Sequence, residues 1–73
     1  MSYVAFEDLI REGTDHLLLD KAKLDIHPED ISLMNQWAPA TSVRMMLENV
    51  LADYPFRFVN METGESIRVR LEE

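Results

Sequence analysis

Apolar residues fall at helical spacing near the start of the chain. In the stretch SYVAFEDLIREG, Leu9 and Ile10 follow Phe6 by three and four residues. Gly13 is a suitable helix stop. This pattern predicts a short helix over about Tyr3–Glu12. The next stretch, TDHLLLDKAKLDI, combines good helix formers with a run of three leucines that would suit a strand. We favour a helix there.

Two further helices are predicted in the middle of the chain. Pro28 at a first helical position, followed by two acids, marks the start of a helix that Pro39 ends. In TSVRMMLENVLADYP, Thr41 is a suitable N-cap and Pro55 is the stop. Between them runs a continuous apolar stripe at helical spacing, formed by Val43, Met46, Leu47, Val50, Leu51 and Tyr54. We expect this helix at the centre of the core.

The last stretch, FRFVNMETGESIRVRL, alternates apolar and polar residues and predicts a β-hairpin over Phe56–Leu71. The length of its loop decides which residues share a face. A four-residue loop over Met61–Gly64 places Phe58 opposite Ile67 and collects the apolar residues on one face. Gly64 then takes the left-handed conformation. A three-residue loop would mix phenylalanines with arginines, so we predict the four-residue loop.

These elements predict one domain, residues 1–73, of the α+β class, with short helices packed on a C-terminal antiparallel β-hairpin. The second face of the hairpin is rich in arginine, because Arg57 lies opposite Arg68 and Arg70 shares their face. Like charges opposite each other on a sheet are unfavourable. Two explanations stay open. Nearby acids such as Glu72 neutralise a solvated face, or the arginines contact an acidic surface or a phosphate on a partner.

Composition and charge limit the classes of function. The chain has 73 residues, 14 acidic against 7 basic residues, no cysteine and a formal net charge of −7. An acidic chain disfavours direct nucleic-acid binding, because phosphate contacts by Lys and Arg supply most non-specific affinity. No apolar run is long enough for a signal peptide or a membrane helix. We therefore expect a cytoplasmic monomer without membrane contact.

No pattern of residues points to catalysis, a metal or a cofactor. His16 and His27 sit in no recognised metal spacing, and Asp15, Asp20 and Asp25 recur at a spacing that fits neither one helix face nor one strand face. The four serines lack a nucleophile motif, and the two glycines form no phosphate-binding loop. We expect a protein that is not an enzyme and uses no cofactor.

Two apolar features fit no common core face in the predicted helices. Leu33 and Trp37 lie four residues apart on a separate face, and Met45 lies on the polar side of the fourth segment. Trp37 is either a core residue or an exposed anchor, since Trp and Met are enriched at protein interfaces. The candidate partner-binding residues are therefore Arg57, Arg68, Arg70, Leu33, Trp37 and Met45.

A compact, acidic, cysteine-free chain of this length, with five arginines to two lysines and a predicted helix-plus-hairpin build, resembles the small regulators that lytic phages direct at host machinery. Among these it is most similar to the RNA polymerase-binding regulators of lytic Xanthomonas phages. The resemblance implies binding to the large subunit of bacterial RNA polymerase. It also implies inhibition of initiation by interference with σ, and a capacity for antitermination.

Two other functions stay open. Fourteen acids are compatible with a nucleic-acid mimic that inhibits a DNA-binding host defence enzyme, although the acids are interleaved with bases along the chain. The stretch PEDISLMNQWAPATSVRMMLENVL has the length of a DNA-binding helix-turn-helix. Its second helix would carry acids and lack the side chains that read base edges, so an ordinary helical hairpin is the preferred interpretation.

Overall fold

The computed structural model describes residues 2–13, 15–19 and 21–72. Seven β-strands and one short α-helix are formed within these residues. The strands are β1 Ser2–Ala5, β2 Ile10–Glu12, β3 His16–Leu19, β4 Ala22–Ile26, β5 Ser42–Leu47, β6 Phe56–Asn60 and β7 Ser66–Leu71. The helix α1 spans Ile31–Met34, and 3₁₀ turns cover Phe6–Asp8 and Pro28–Asp30.

The seven strands form one antiparallel sheet that curves into half of a barrel, in the order β1-β5-β6-β7-β4-β3-β2. The predicted α+β class, with helices packed on a hairpin, is therefore wrong. The hairpin β6–β7 is instead the middle of the sheet, and strands replace three of the four predicted helices. Of the helical part of the build that supported the phage resemblance, the described residues contain one short helix.

The fourth segment shows why helical spacing misled the prediction. Its apolar residues also alternate, because Val43, Met45 and Leu47 stand two residues apart. The stretch forms strand β5, which pairs with β1 on one side and β6 on the other. Residues 48–55 form the loop that leads into β6, closed by hydrogen bonds from the backbone N–H groups of Glu48 and Asn49 to the carbonyl of Pro55.

The first two predicted helices are also strands. The stretch predicted as a helix over Tyr3–Glu12 divides into β1, a 3₁₀ turn and β2, and the turn carries the chain from one edge of the sheet to the other. The leucine run lies in β3, which forms a hairpin with β4. Backbone pairing across the sheet outweighs the weak helical preference of these short segments.

The third segment keeps its predicted start but is shorter. Pro28 opens a 3₁₀ turn, and the ring Nδ1 of His27 accepts a hydrogen bond from the backbone N–H of Glu29. The helix α1 then runs for one turn and ends at Met34, well before Pro39. A helix-turn-helix is excluded, because the segment that would supply its second helix is strand β5.

The hairpin register is confirmed. Phe58 lies opposite Ile67, and Arg57 lies opposite Arg68. Gly64 has φ of +80° and donates its backbone N–H to the carbonyl of Asn60, as the four-residue loop requires.

The core lies on the concave face of the sheet. Phe58, Ile67 and Val69 from the hairpin are buried there, together with leucines from β3 and β4. At one end, α1 and the first 3₁₀ turn cover the concave face, and Phe6 and Trp37 meet edge to face with ring centroids 5.6 Å apart. The opposite end has no such cover among the described residues.

Within the described residues, none of the helices has the length and apolar character needed to cross a membrane.

Candidate functional site

The convex face of the sheet carries the three arginines of the hairpin, and each meets a carboxylate of the same chain. The Nε of Arg57 contacts the carboxylate of Glu48, and its Nη1 donates to the hydroxyl of Ser66 at 3.1 Å. These contacts explain how Arg57 tolerates a position directly opposite Arg68. The acids come from the loop after β5 and from the segments beside β7, so they were not adjacent in the sequence pattern.

Arg68 is held most firmly. Its Nε and Nη2 donate to the two oxygens of Asp30 at 2.9 and 3.1 Å, and its backbone N–H donates to the same carboxylate at 2.8 Å. Burial alone would raise the pKa of Asp30, but the hydrogen bonds and charge of Arg68 outweigh it and lower that pKa below its usual value of 3.8. The pair ties the 3₁₀ turn before α1 to the central strand β7.

Arg70 lies opposite Asp25 on the neighbouring strand β4. Its Nε donates to Asp25 Oδ2 at 3.2 Å, which raises the pKa of Arg70 above its usual value. The guanidinium also lies 4.8 Å from the centre of the Tyr54 ring. Charge pairs inside the chain therefore engage all three arginines, although each side chain stays partly exposed. Their role in binding a partner remains a prediction.

The Asp30–Arg68 pair predicts a defined pH dependence of stability. Asp30→Asn should lower the free energy of unfolding at pH 7 by about 1–3 kcal/mol, because charge-assisted hydrogen bonds are lost. The pKa of Asp30 is lower in the folded than in the unfolded state, so the stabilisation is complete above the unfolded value of 3.8 and is lost as pH falls through the folded value. Urea denaturation between pH 7 and pH 3 should show the two proteins converging in acid.

The exposed Asp8 supplies the control for that series. Asp8→Asn should change the free energy of unfolding by less than about 0.5 kcal/mol at each pH. A difference between wild type and Asp30→Asn that stayed constant down to pH 3 would contradict a stabilising ionised Asp30.

The three apolar candidates are not gathered beside the arginines. Trp37 is only 6% exposed and belongs to the core, with its indole N–H donating to Glu65 at 3.3 Å. Leu33 is half-buried against the same core. Met45 is not on a polar helix face. As a strand residue it points to the concave side, opposite to Arg44, and pairs with Phe58.

An apolar groove of about 320 Å³ occupies the concave face of the sheet. It runs between the β3–β4 hairpin and strands β5 and β6, and is lined by Leu19, Ala22, Leu24, Met45, Met46, Leu47, Phe56, Phe58 and Leu71. Leu47 is 60% exposed and Leu71 is 52% exposed. The sequence signal for this surface was the alternation of apolar residues in β5 and β6, which the helical interpretation of β5 concealed.

The loop after β5 adds two strongly exposed apolar side chains. Val50 is 72% exposed and Leu51 is 91% exposed. A cleft of about 630 Å³ separates this loop from the end of β7, and Asp53 and Glu72 line it. Phe56 and Leu71 line both the cleft and the apolar groove, so the two surfaces are continuous. The charged residues of the cleft are mainly acidic, with Arg70 as the one base in its lining.

A compact group of titratable residues surrounds His16 at the start of β3. Its Nδ1 lies 2.6 Å from Asp15 Oδ1, and its Nε2 lies 2.7 Å from Asp25 Oδ1 and 3.4 Å from Glu72 Oε2. The β3–β4 hairpin places His16 opposite Asp25, and Glu72 comes from the other end of the chain, just after β7. Strand pairing creates this group, so the pattern of residues along the chain did not predict it.

Comparison with known proteins identifies no relative: the chain matches no protein-family model, no curated protein and no solved structure. The surfaces described above are therefore the basis for assigning a function.

Proposed function

We propose that this protein acts in the bacterial cytoplasm by stoichiometric binding to another protein, without catalysis. The observation that carries the proposal is the uncovered apolar groove, continuous with the exposed Leu47 and Leu71. The groove is lined mainly by apolar side chains that are partly exposed, and a partner segment placed there would remove them from water. The large subunit of bacterial RNA polymerase is the proposed target, as the resemblance in size, charge and arginine content implies. Binding there would interfere with σ and regulate transcription.

The groove supports binding better than the arginine face does. Arg57, Arg68 and Arg70 already hold carboxylates of their own chain, so contact with a partner would first have to break those pairs. Binding at the groove breaks none of these ion pairs. Its half-exposed leucines lose contact with water as soon as an apolar partner segment covers them.

The charge of the chain indicates the chemistry of the partner segment. The cleft beside the apolar groove is lined by three acids, Asp25, Asp53 and Glu72, and one base, Arg70, and the chain as a whole carries −7. A second copy of the same acidic chain would be repelled. The occupant we propose is an amphipathic segment of the polymerase subunit that carries apolar side chains next to Lys or Arg.

The alternating charges of the convex face weigh against the nucleic-acid mimic. Carboxylates there alternate with the arginines that they bind, in the pairs Glu48–Arg57, Asp30–Arg68 and Asp25–Arg70. A mimic of a phosphate backbone needs an array of acids on one side. Protein binding through the groove is therefore the preferred function.

A matched pair of substitutions tests the proposal. Leu47, at the groove, is 60% exposed, and Ile10, on the edge strand β2, is 59% exposed. Leu47→Asp should weaken binding to purified bacterial RNA polymerase at least about 30-fold, since a charge then enters the apolar contact. Ile10→Asp should leave binding unchanged. Calorimetry measures both affinities, and circular dichroism checks that each variant folds.

Two results would overturn this assignment. Wild-type protein that shows no binding to the polymerase rules out the target. Equal affinity of wild type and Leu47→Asp rules out the groove. The double substitution Arg68→Glu with Arg70→Glu tests the arginine face separately. Loss of binding in that variant alone, with the circular dichroism spectrum of the folded protein, would transfer the contact to the convex side.

A further inference from the structure

Both ring nitrogens of His16 lie close to carboxylate oxygens. When Nδ1–H donates to Asp15, the neutral ring presents a lone pair at Nε2. That lone pair faces the oxygens of Asp25 and Glu72, at 2.7 and 3.4 Å. Three electron-pair donors therefore converge, and their ligand atoms all lie within 4.8 Å of one another. Either a proton on Nε2 or a bound metal ion between the three atoms would remove the repulsion between their lone pairs.

We propose that His16, Asp25 and Glu72 bind a divalent metal ion of the zinc class. Zinc is bound by His nitrogen and carboxylate oxygen at about 2.0–2.2 Å. Tetrahedral ligands at that distance are about 3.4 Å apart. The separation of His16 Nε2 from Glu72 Oε2 already has this value, 3.4 Å. To admit the ion, Asp25 Oδ1 would move from 2.7 to about 3.4 Å from His16 Nε2. The three ligand atoms, which lie within 4.8 Å of one another, would draw together to the same spacing.

The surrounding contacts are those that orient metal ligands. Metal-binding histidines almost always donate their second ring nitrogen to a carboxylate or carbonyl, and Asp15 stands in that place at 2.6 Å. Ligating carboxylates are in turn hydrogen-bonded through their other oxygen. Asp25 meets this condition, because its Oδ2 accepts from Arg70 while Oδ1 faces His16.

The site is also accessible and held by the sheet. Its three side chains are partly exposed, so an ion and a completing water molecule can reach it. Strand pairing fixes the backbone of His16 against Asp25, and the backbone N–H of Glu72 donates to the carbonyl of Lys23 at 2.9 Å. One imidazole nitrogen with carboxylates favours Zn²⁺ over Ca²⁺ and Mg²⁺, which prefer oxygen ligands alone.

Titration of the full chain with Zn²⁺ by calorimetry tests the site. One ion should bind per chain, and Ca²⁺ should bind at least tenfold more weakly. His16→Ala and Glu72→Gln should each lower the Zn²⁺ affinity at least tenfold. Asp15→Asn should lower it about 10- to 100-fold, as expected for a residue that orients a ligand. His27→Ala removes the other histidine and should leave the affinity unchanged.

Glu72 lies after the last strand, so Glu72→Gln keeps the test informative if His16→Ala fails to fold. Absence of Zn²⁺ binding by the wild-type chain would overturn the proposal and leave His16 in contact with carboxylates alone. Equal losses in His16→Ala and His27→Ala would also overturn it, because binding would then be distributed over the surface. Either result leaves the proposed protein-binding function untouched, since Leu47 and the polymerase play no part in this assay.

Discussion

Replacing Phe58 with alanine should lower the free energy of unfolding by about 3–5 kcal/mol. Phe58 is 3% exposed and lies at the centre of the sheet, between Met45 on β5 and Ile67 on β7. A domain of this size has a total stability of about 4–11 kcal/mol, at roughly 0.05–0.15 kcal/mol per residue. The substitution therefore removes a large share of the stability. Urea denaturation followed by circular dichroism measures it.

Leu71 provides the control for Phe58. It belongs to the same concave row of side chains but is 52% exposed. Leu71→Ala should cost less than about 1 kcal/mol, because little apolar contact is lost. If Phe58→Ala cost no more than Leu71→Ala, the concave face would not be the core.

Replacing Trp37 with alanine should be as damaging as the loss of Phe58, by about 3–5 kcal/mol. The ring packs edge to face on Phe6, and its N–H donates to Glu65. Trp37→Phe keeps an aromatic ring against Phe6 and should cost less. Because Trp37 is the single tryptophan of the chain, its fluorescence should be blue-shifted in the folded state and move to longer wavelength with urea.

The same pair of variants decides between the two interpretations of Trp37. For a core residue, Trp37→Phe should retain the affinity of the wild type for its protein partner. A folded Trp37→Phe protein with partner affinity reduced tenfold or more would make Trp37 a contact residue in spite of its burial. The expected result leaves the groove as the apolar contact surface.

The sequence left open how two arginines can lie opposite each other on the sheet, and the structure shows how. Arg57 and Arg68 stand opposite each other, as the register predicted, and the predicted repulsion is relieved within the chain. Glu48 engages one arginine and Asp30 engages the other. Asp30 lies 38 residues from Arg68 in the sequence, in the turn before α1, and Glu48 lies in the loop between β5 and β6.

The sequence by itself determined the C-terminal hairpin and the start of the short helix. In the hairpin, Gly64 in the loop and the alternating pattern of Phe56 and Phe58 in β6 and of Ile67, Val69 and Leu71 in β7 allowed one register that buries the apolar side chains. At the helix, Pro28 and the acids after it form a local signal. Both predictions depend on residues within about ten positions of each other, so local interactions along the chain decide them.

Only the tertiary structure decided the rest. The spacing of Val43, Met45 and Leu47 fits a strand, while the wider apolar stripe of the same segment fits a helix, and short segments of this kind are ambiguous from sequence. Pairing with β1 and β6 makes this segment a strand, because a strand between two others satisfies its backbone hydrogen bonds on both sides. The groove and the group around His16 arise in the same way. Their members are neighbours across strands, and strand order in a sheet is set by long-range packing that local patterns do not contain.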